Sequence, residues 1–158
     1  MKFIVDRMLG RLARWLRLFG YDTLEIKKQE NEDDLLLKLA EIEERILVSR
    51  DRGLIRKAEK KGIICCLIHS SDILEQLKEI QKKFSIALQP EMNRCTLCNS
   101  SIRKAEPEDI KIIKEKKYVY SEELESTEFW ICDTCGQVYW QGKHWENIKE
   151  RVERLRRV

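Results

Sequence analysis

The chain has 158 residues, 42% of them hydrophobic and 37% charged, which bounds it to one ordinary domain or a compact domain plus a small module and excludes wholesale disorder. Six glycines and two prolines exclude collagen-like or low-complexity architecture, and no apolar run approaches the roughly 18 residues that a membrane span needs. The net charge of +3 is unevenly placed: residues 1–90 hold 18 basic against 15 acidic side chains, residues 91–158 hold 13 against 13.

Asp6 and Arg7 stand where a signal peptide would carry its apolar stretch, so the sequence reads as a cytoplasmic protein with no membrane partner. KFIV (2–5) is a short apolar strand ending at Asp6. Met8, Leu12, Trp15 and Phe19 recur at helical spacing over 7–19, and Gly20 closes that helix. DTLEI (22–26) alternates like a second strand. A helix over 33–44 follows, with Asn31, Glu32, Asp33 and Asp34 supplying its cap and first-turn acids. RILVS (45–49) is a third strand, 52–61 a short basic helix stopped by Gly62, and IICCLI (63–68) a fully apolar fourth strand. Ser70 or Ser71 then caps a helix over 72–83. Apolar strands alternating with helices predict an α/β fold, a parallel sheet covered on both faces, with ligands bound outside the carboxyl ends of the strands.

After Phe84 the pattern changes. Residues 85–94, with Pro90, read as a linker, which divides the chain into a first domain over 1–88 and a second over 89–158. A short helix is expected over 107–115, a solvated acidic stretch over 120–128, a hairpin from FWIC (129–132) and QVYW (137–140), and a closing helix over 143–157.

Four of the six cysteines form two C-x-x-C units, Cys95/Cys98 and Cys132/Cys135. Each unit presents two thiolates to one ion, and two units complete the four-sulfur tetrahedron that zinc favours. Such a site is closed and has no open position for substrate, so the zinc is expected to be structural. Cys65 and Cys66, on opposite faces of a strand, read as core residues. His69 and His144 are not needed as ligands; His144 is expected to pack on Trp145, and Trp130, Trp140 and Trp145 to form a small core around the zinc.

Asp6 and Asp51 end the first and third strands, and Asp33, beside Asp34, opens the helix between the second and third. Carboxylates meeting at one edge repel unless a cation lies among them, and hard oxygen ligands suit Mg²⁺ or Mn²⁺. Helix capping is the competing reading for Asp33, Asp34 and Asp51, and for Asp72 as a fourth acid. Arg7, Arg11, Arg14 and Arg17 recur at spacings that put them on one helix face, with no acid between Arg7 and Tyr21. Arg50, Arg52 and Arg56 add charge beside Asp51. An unpaired arginine row suits phosphate oxygens; a solvated basic face is the alternative.

The blocks FIVDRMLGRLARWLRLFGYDT, DDLLLKLAEIEERILVSRDRGL, RCTLCN and FWICDTCGQVYWQGKHW occur in this order, and together they resemble the PIN-like ribonuclease domain first noted at the C-terminus of mutator-type exonuclease proteins, which carries an appended zinc ribbon. The resemblance implies a PIN-like α/β fold and a metal-dependent nuclease site in which Asp6, Asp33 and Asp51 are the catalytic acids, with Asp72 a loose match to a fourth. It also implies that Cys95, Cys98, Cys132 and Cys135 are the ribbon cysteines. The resulting expectation is a hydrolase acting on RNA phosphodiesters, with Mg²⁺ or Mn²⁺ on Asp6, Asp33 and Asp51 and RNA on Arg7, Arg11, Arg14, Arg17, Arg50 and Arg52. The alternatives are a non-catalytic RNA- or ribosome-binding zinc-ribbon protein, and a toxin-like component controlled by another chain.

Overall fold

The computed structural model describes residues 1–27, 30–124 and 127–157. They form two compact units, Met1–Glu91 and Met92–Val158.

In the first unit the strands β1 (Lys2–Val5), β2 (Asp22–Glu25), β3 (Ile46–Ser49) and β4 (Cys65–Leu67) make one parallel sheet in the order β2-β1-β3-β4. Helices α1 (Gly10–Leu18), α2 (Glu32–Ile42), α3 (Arg52–Lys60) and α4 (Ile73–Phe84) alternate with the strands. Alternate strand residues serve opposite faces. Ile4, Leu47 and Cys65 join Leu36, Leu37 and Ala40 of α2 and Leu54, Ile55 and Ala58 of α3 in one core. Phe3 turns to the other face, where its ring meets Tyr21 and Phe84 edge-on at 5.8 and 6.2 Å, and α1 packs on α4. This two-sided cover is why the strands read as unbroken apolar runs.

Register fixes the functional edge. Val5 pairs with Glu25 on one side and Val48 on the other, so the carboxyl ends of β1, β2 and β3 lie level. Gly20 and Gly62 have φ of 83° and 72°, a left-handed conformation that favours glycine where a helix ends. The segment read as linker is tied to the first unit as far as Glu91, whose N–H donates to the Leu18 carbonyl at 2.8 Å, with Ile86 and Leu88 buried.

Two caps differ from expectation. Asp72, not Ser70 or Ser71, caps α4, its carboxylate accepting from the Leu74 and Glu75 amides, while Ser70 Oγ accepts from the Asp72 amide. Asn31 precedes α2 with φ of 55° and makes no side-chain cap.

Arg45 leads into β3 and is buried, with its guanidinium on Asp22 Oδ1 and Glu43 Oε2 at 2.7 Å each and on the Phe3 carbonyl at 3.2 Å. Burial opposes the charge, but these two carboxylates more than offset it and hold the arginine firmly protonated. Arg45→Ala removes charge-assisted hydrogen bonds of about 1.5–3 kcal/mol each. The remaining carboxylates are partly exposed and regain water, so a net loss of about 2 kcal/mol is expected in urea unfolding.

In the second unit β5 (Arg103–Lys104), β6 (Phe129–Ile131) and β7 (Val138–Trp140) form an antiparallel sheet in the order β5-β6-β7. β6 and β7 are the expected hairpin. β5, two residues long, is too short to carry a period. Helices α5 (Ile110–Lys114) and α6 (Lys143–Arg156) complete the unit. Ile113, Phe129, Ile131 and Val138 form its core. Trp140 stacks on Tyr118 and takes His144 edge-on at 5.4 Å, so His144 packs on Trp140 rather than Trp145. Trp145 is buried and Trp130 half-buried. Residues 125 and 126 of the acidic stretch lie outside the described residues. No helix among the described residues is long and apolar enough to cross a membrane.

Candidate active site and metal centre

Asp6 and Asp51 meet the carboxyl edge from adjacent strands and are joined there through Ser49. Asp6 ends β1 and opens a 3₁₀ turn over Arg7–Leu9, its Oδ1 accepting from the Met8 amide at 2.9 Å. Ser49 Oγ donates to Asp6 Oδ2 at 2.5 Å and accepts from the Asp51 amide at 2.9 Å. Asp51 Oδ1 in turn accepts from the Leu54 amide at 3.0 Å, so Asp51 caps α3. Asp6 is 9% exposed and Ser49 fully buried, so the bridge is sheltered from water. Ser49 was not singled out from the sequence; the S-x-D spacing at a strand end is the signal that could have found it.

Asp33 sits in the first turn of α2, its Oδ2 3.6 Å from Lys57 Nζ of α3, and the neighbouring Glu32 Oε2 lies 3.3 Å from Arg7 Nε. Glu25 is a further carboxylate at this edge. A Cβ on Gly10 would lie 2.6 Å from Glu25 Oε1, so the glycine lets that side chain rest against the start of α1. Asp72 is occupied in capping α4.

Asp6, Asp33 and Asp51 thus share one edge but are not drawn to a single point. Among the described residues, the group of three or more acid, histidine or cysteine ligand atoms lying within 4.8 Å of one another is the cysteine quartet. The hard oxygens of Asp6 and Asp51 suit a divalent cation by chemistry. Asp33 instead faces Lys57 in an exposed ion pair.

The arginine row divides. Arg7, Arg11 and Arg14 are exposed, as are Arg50 and Arg52. Arg17, expected beside them, is 4% exposed, and its Nε donates to the Thr23 carbonyl at 2.9 Å. It is a structural link from α1 to β2, not part of the basic surface. The apolar stripe shifts likewise: Leu9, Leu12, Ala13, Leu16 and Phe19 are buried, while Met8 is 74% exposed and Trp15 only half-buried.

The cysteines form the second centre. Cys95 and Cys135 sulfurs are 3.6 Å apart and those of Cys98 and Cys132 3.5 Å, with all four within 4.8 Å of one another. Four sulfurs about 2.3 Å from one tetrahedral zinc would be separated by about 3.8 Å, so the quartet fits that ion. The turns that build it are alike. Asn99, with φ of 70°, donates to the Cys95 carbonyl at 3.0 Å, and Gly136, with φ of 74°, donates to the Cys132 carbonyl at 2.7 Å. Burial works against ionising Cys98, but hydrogen bonds from Ser100 and the neighbouring thiols outweigh it and hold this thiol down to about 6. Burial and the crowded sulfurs push Cys135 up to about 12. Cys66, by contrast, is a buried core thiol pushed up to about 11 by burial.

Two supports of this centre were not legible in the sequence. Tyr139 places its hydroxyl 2.9 Å from Cys95 Sγ and accepts from the Thr96 amide at 3.0 Å. Arg103 forks onto Asp133, inside the second C-x-x-C, at 2.8 and 3.0 Å and onto Asp109 at 2.7 and 3.0 Å, and holds the Asp109 carboxyl down to about 2.

A parallel α/β unit with acids at its carboxyl edge thus stands in one chain with a four-cysteine centre. The chain belongs to the Mut7-C RNAse domain family, whose profile matches residues 1–152. A ribonuclease-type enzyme with RNA as substrate or partner follows from that membership. No curated protein and no solved structure matches the chain.

Proposed function

We propose that the protein is a PIN-like, metal-dependent ribonuclease that hydrolyses RNA phosphodiesters at the carboxyl edge of the parallel sheet. The observation that carries this reading is the Asp6–Ser49–Asp51 chain, in which one buried hydroxyl donates to the Asp6 carboxylate and accepts from the Asp51 amide, so that two acids from neighbouring strand ends are tied to one edge. Asp6 and Asp51 would hold Mg²⁺ or Mn²⁺, with Asp33 joining them on exchanging Lys57 for the cation. Such an ion supplies Lewis-acid polarisation of a phosphoryl oxygen and a lowered pKa for water.

The chain's own residues do the rest. Ser49 fixes the orientation of the Asp6 carboxylate. Asp51 is aimed by its cap to α3. Arg7, Arg11 and Arg14 face solvent beside Asp6 and would bind flanking phosphates, and Arg50 and Arg52 would do so beside Asp51. Met8 and Trp15, exposed and half-exposed next to that row, offer apolar surface for bases. The cysteine centre would hold a structural zinc, since four sulfurs leave no open position.

One observation favours the rival, a non-catalytic RNA- or ribosome-binding protein: Asp6 and Asp51 serve as caps, and Asp33 faces a lysine. Asp51→Asn separates the two readings. Asparagine caps a helix about as well as aspartate, so the fold should persist while the charge is lost. Cleavage of a labelled single-stranded RNA in Mn²⁺ is expected to fall by about 10²-fold or more, as for loss of a metal-holding carboxylate, with an unchanged melting temperature. Equal cleavage by both proteins, or none by the wild type, would remove the catalytic assignment.

A further inference from the structure

Strand β4 lies at the edge of the parallel sheet, and a groove of about 330 Å³ runs beside it. Arg52 and Arg56 of α3 stand on one side and Lys83 of α4 on the other, with His69 just beyond β4. Ile55 and Leu67 supply an apolar floor, and Glu59 is the one acid in the lining. Arg52, Arg56 and Lys83 are exposed, and none of the ion pairs among the described residues involves them. His69 is held in place by Glu79 through its ring nitrogen at 3.0 Å and its amide at 2.9 Å.

We propose that this groove is a binding track for the phosphate backbone of single-stranded RNA, with Arg52, Arg56 and Lys83 as phosphate contacts and Ile55 and Leu67 under the bases. Cations free of ion pairs around an apolar floor select a polyanion that also carries flat apolar groups; Lys83 Nζ lies 5.9 Å from the centre of the Phe84 ring, a contact that leaves its charge unneutralised. Arg52 and Arg56 are about 6 Å apart along α3, four residues at 1.5 Å each, a step suited to successive phosphates of an extended strand. The groove begins at Arg52, the residue after Asp51, and so continues from the acidic edge. That continuity favours RNA over an acidic peptide. The inference rests on the ribonuclease reading and deepens it: the substrate strand would leave the scissile position along the β4 side of the sheet.

The test is the salt dependence of RNA binding by the 158-residue, zinc-loaded chain, read by anisotropy of a labelled single-stranded oligoribonucleotide without added Mn²⁺ or Mg²⁺ in an Asp6→Asn background that slows cleavage. Each lost phosphate contact on a single strand lowers the slope of log K against log salt by about 0.7, so Arg56→Ala with Lys83→Ala should lower it by about 1.4. A charge-matched control, Lys2→Ala with Lys38→Ala, should leave it in place. Equal decreases in both double variants would mean diffuse attraction and overturn the track. No decrease with Arg56→Ala and Lys83→Ala would overturn it too, and RNA cleavage by the wild type would then show that the ribonuclease reading stands without it. Wild-type protein that neither binds nor cleaves RNA would remove both. A polyglutamate peptide whose binding needs Arg56 and Lys83 while RNA binding does not would reassign the groove to an acidic protein partner.

Discussion

Cys132→Ser is expected to abolish zinc retention and unfold residues 92–158. The apolar core of this unit is the cluster of Ile113, Phe129, Ile131 and Val138, and α6 adds only Trp145, Val152 and Leu155 as buried side chains. A core of that size does not hold a module of fewer than 70 residues securely. Zinc bound by four thiolates contributes about 10–16 kcal/mol in small zinc-finger peptides at pH 7, which is the whole stability of such a fold. Three of the four tryptophans, Trp130, Trp140 and Trp145, lie in this unit. Their emission should shift to the red in Cys132→Ser and in chelator-treated wild type, alongside elemental analysis that falls from one zinc per chain to none. Wild-type protein without zinc, or a variant with unchanged emission, would contradict this. The Arg103 bridge to Asp133 and Asp109 would then have to hold the unit by itself.

Asp6→Asn is expected to cost RNA cleavage about 10²-fold or more, since losing even an outer partner of a metal site costs about 10–100-fold, with a modest loss of stability. Its carboxylate accepts from Met8 and from Ser49. Asparagine keeps an acceptor for the Met8 amide, so the cap survives, but its amide nitrogen cannot accept from the buried Ser49 hydroxyl, which costs about 1–3 kcal/mol. What disappears is the negative charge on a nearly buried edge. Single-turnover cleavage read beside thermal unfolding checks both halves. Unchanged cleavage would return Asp6 to a purely structural role.

The cysteine centre was legible because C-x-x-C encodes its geometry locally: two turns, each closed by a left-handed Asn99 or Gly136, bring four sulfurs together. The parallel sheet was legible for a similar reason, since KFIV and RILVS are apolar on both faces and stop at polar residues. The phase of the first helix was not. Residues 7–9 form a 3₁₀ turn, which advances about 20° more per residue than an α-helix and so rotates the following face by about 60°. An α-period counted from Met8 therefore runs to Trp15, while the core takes Leu9, Leu12, Ala13 and Leu16, and Arg17 falls on the buried side. The bond from Ser49 Oγ to the Asp51 amide has a local signature in S-x-D, but its bond to Asp6 depends on β1 and β3 being neighbours, which spacing does not show. Lys57 opposite Asp33 is likewise a tertiary contact with no local signature.

The most direct measurement is the rate of single-stranded RNA cleavage by the wild-type, zinc-loaded protein as Mn²⁺ is titrated. Varying added Mn²⁺ is preferable to adding a chelator, which would also strip the sulfur-bound ion. The account predicts negligible cleavage without the added cation and a saturable rise with it. Cleavage at the same rate at every Mn²⁺ concentration, or no cleavage at any, would contradict a hydrolytic site built on Asp6 and Asp51.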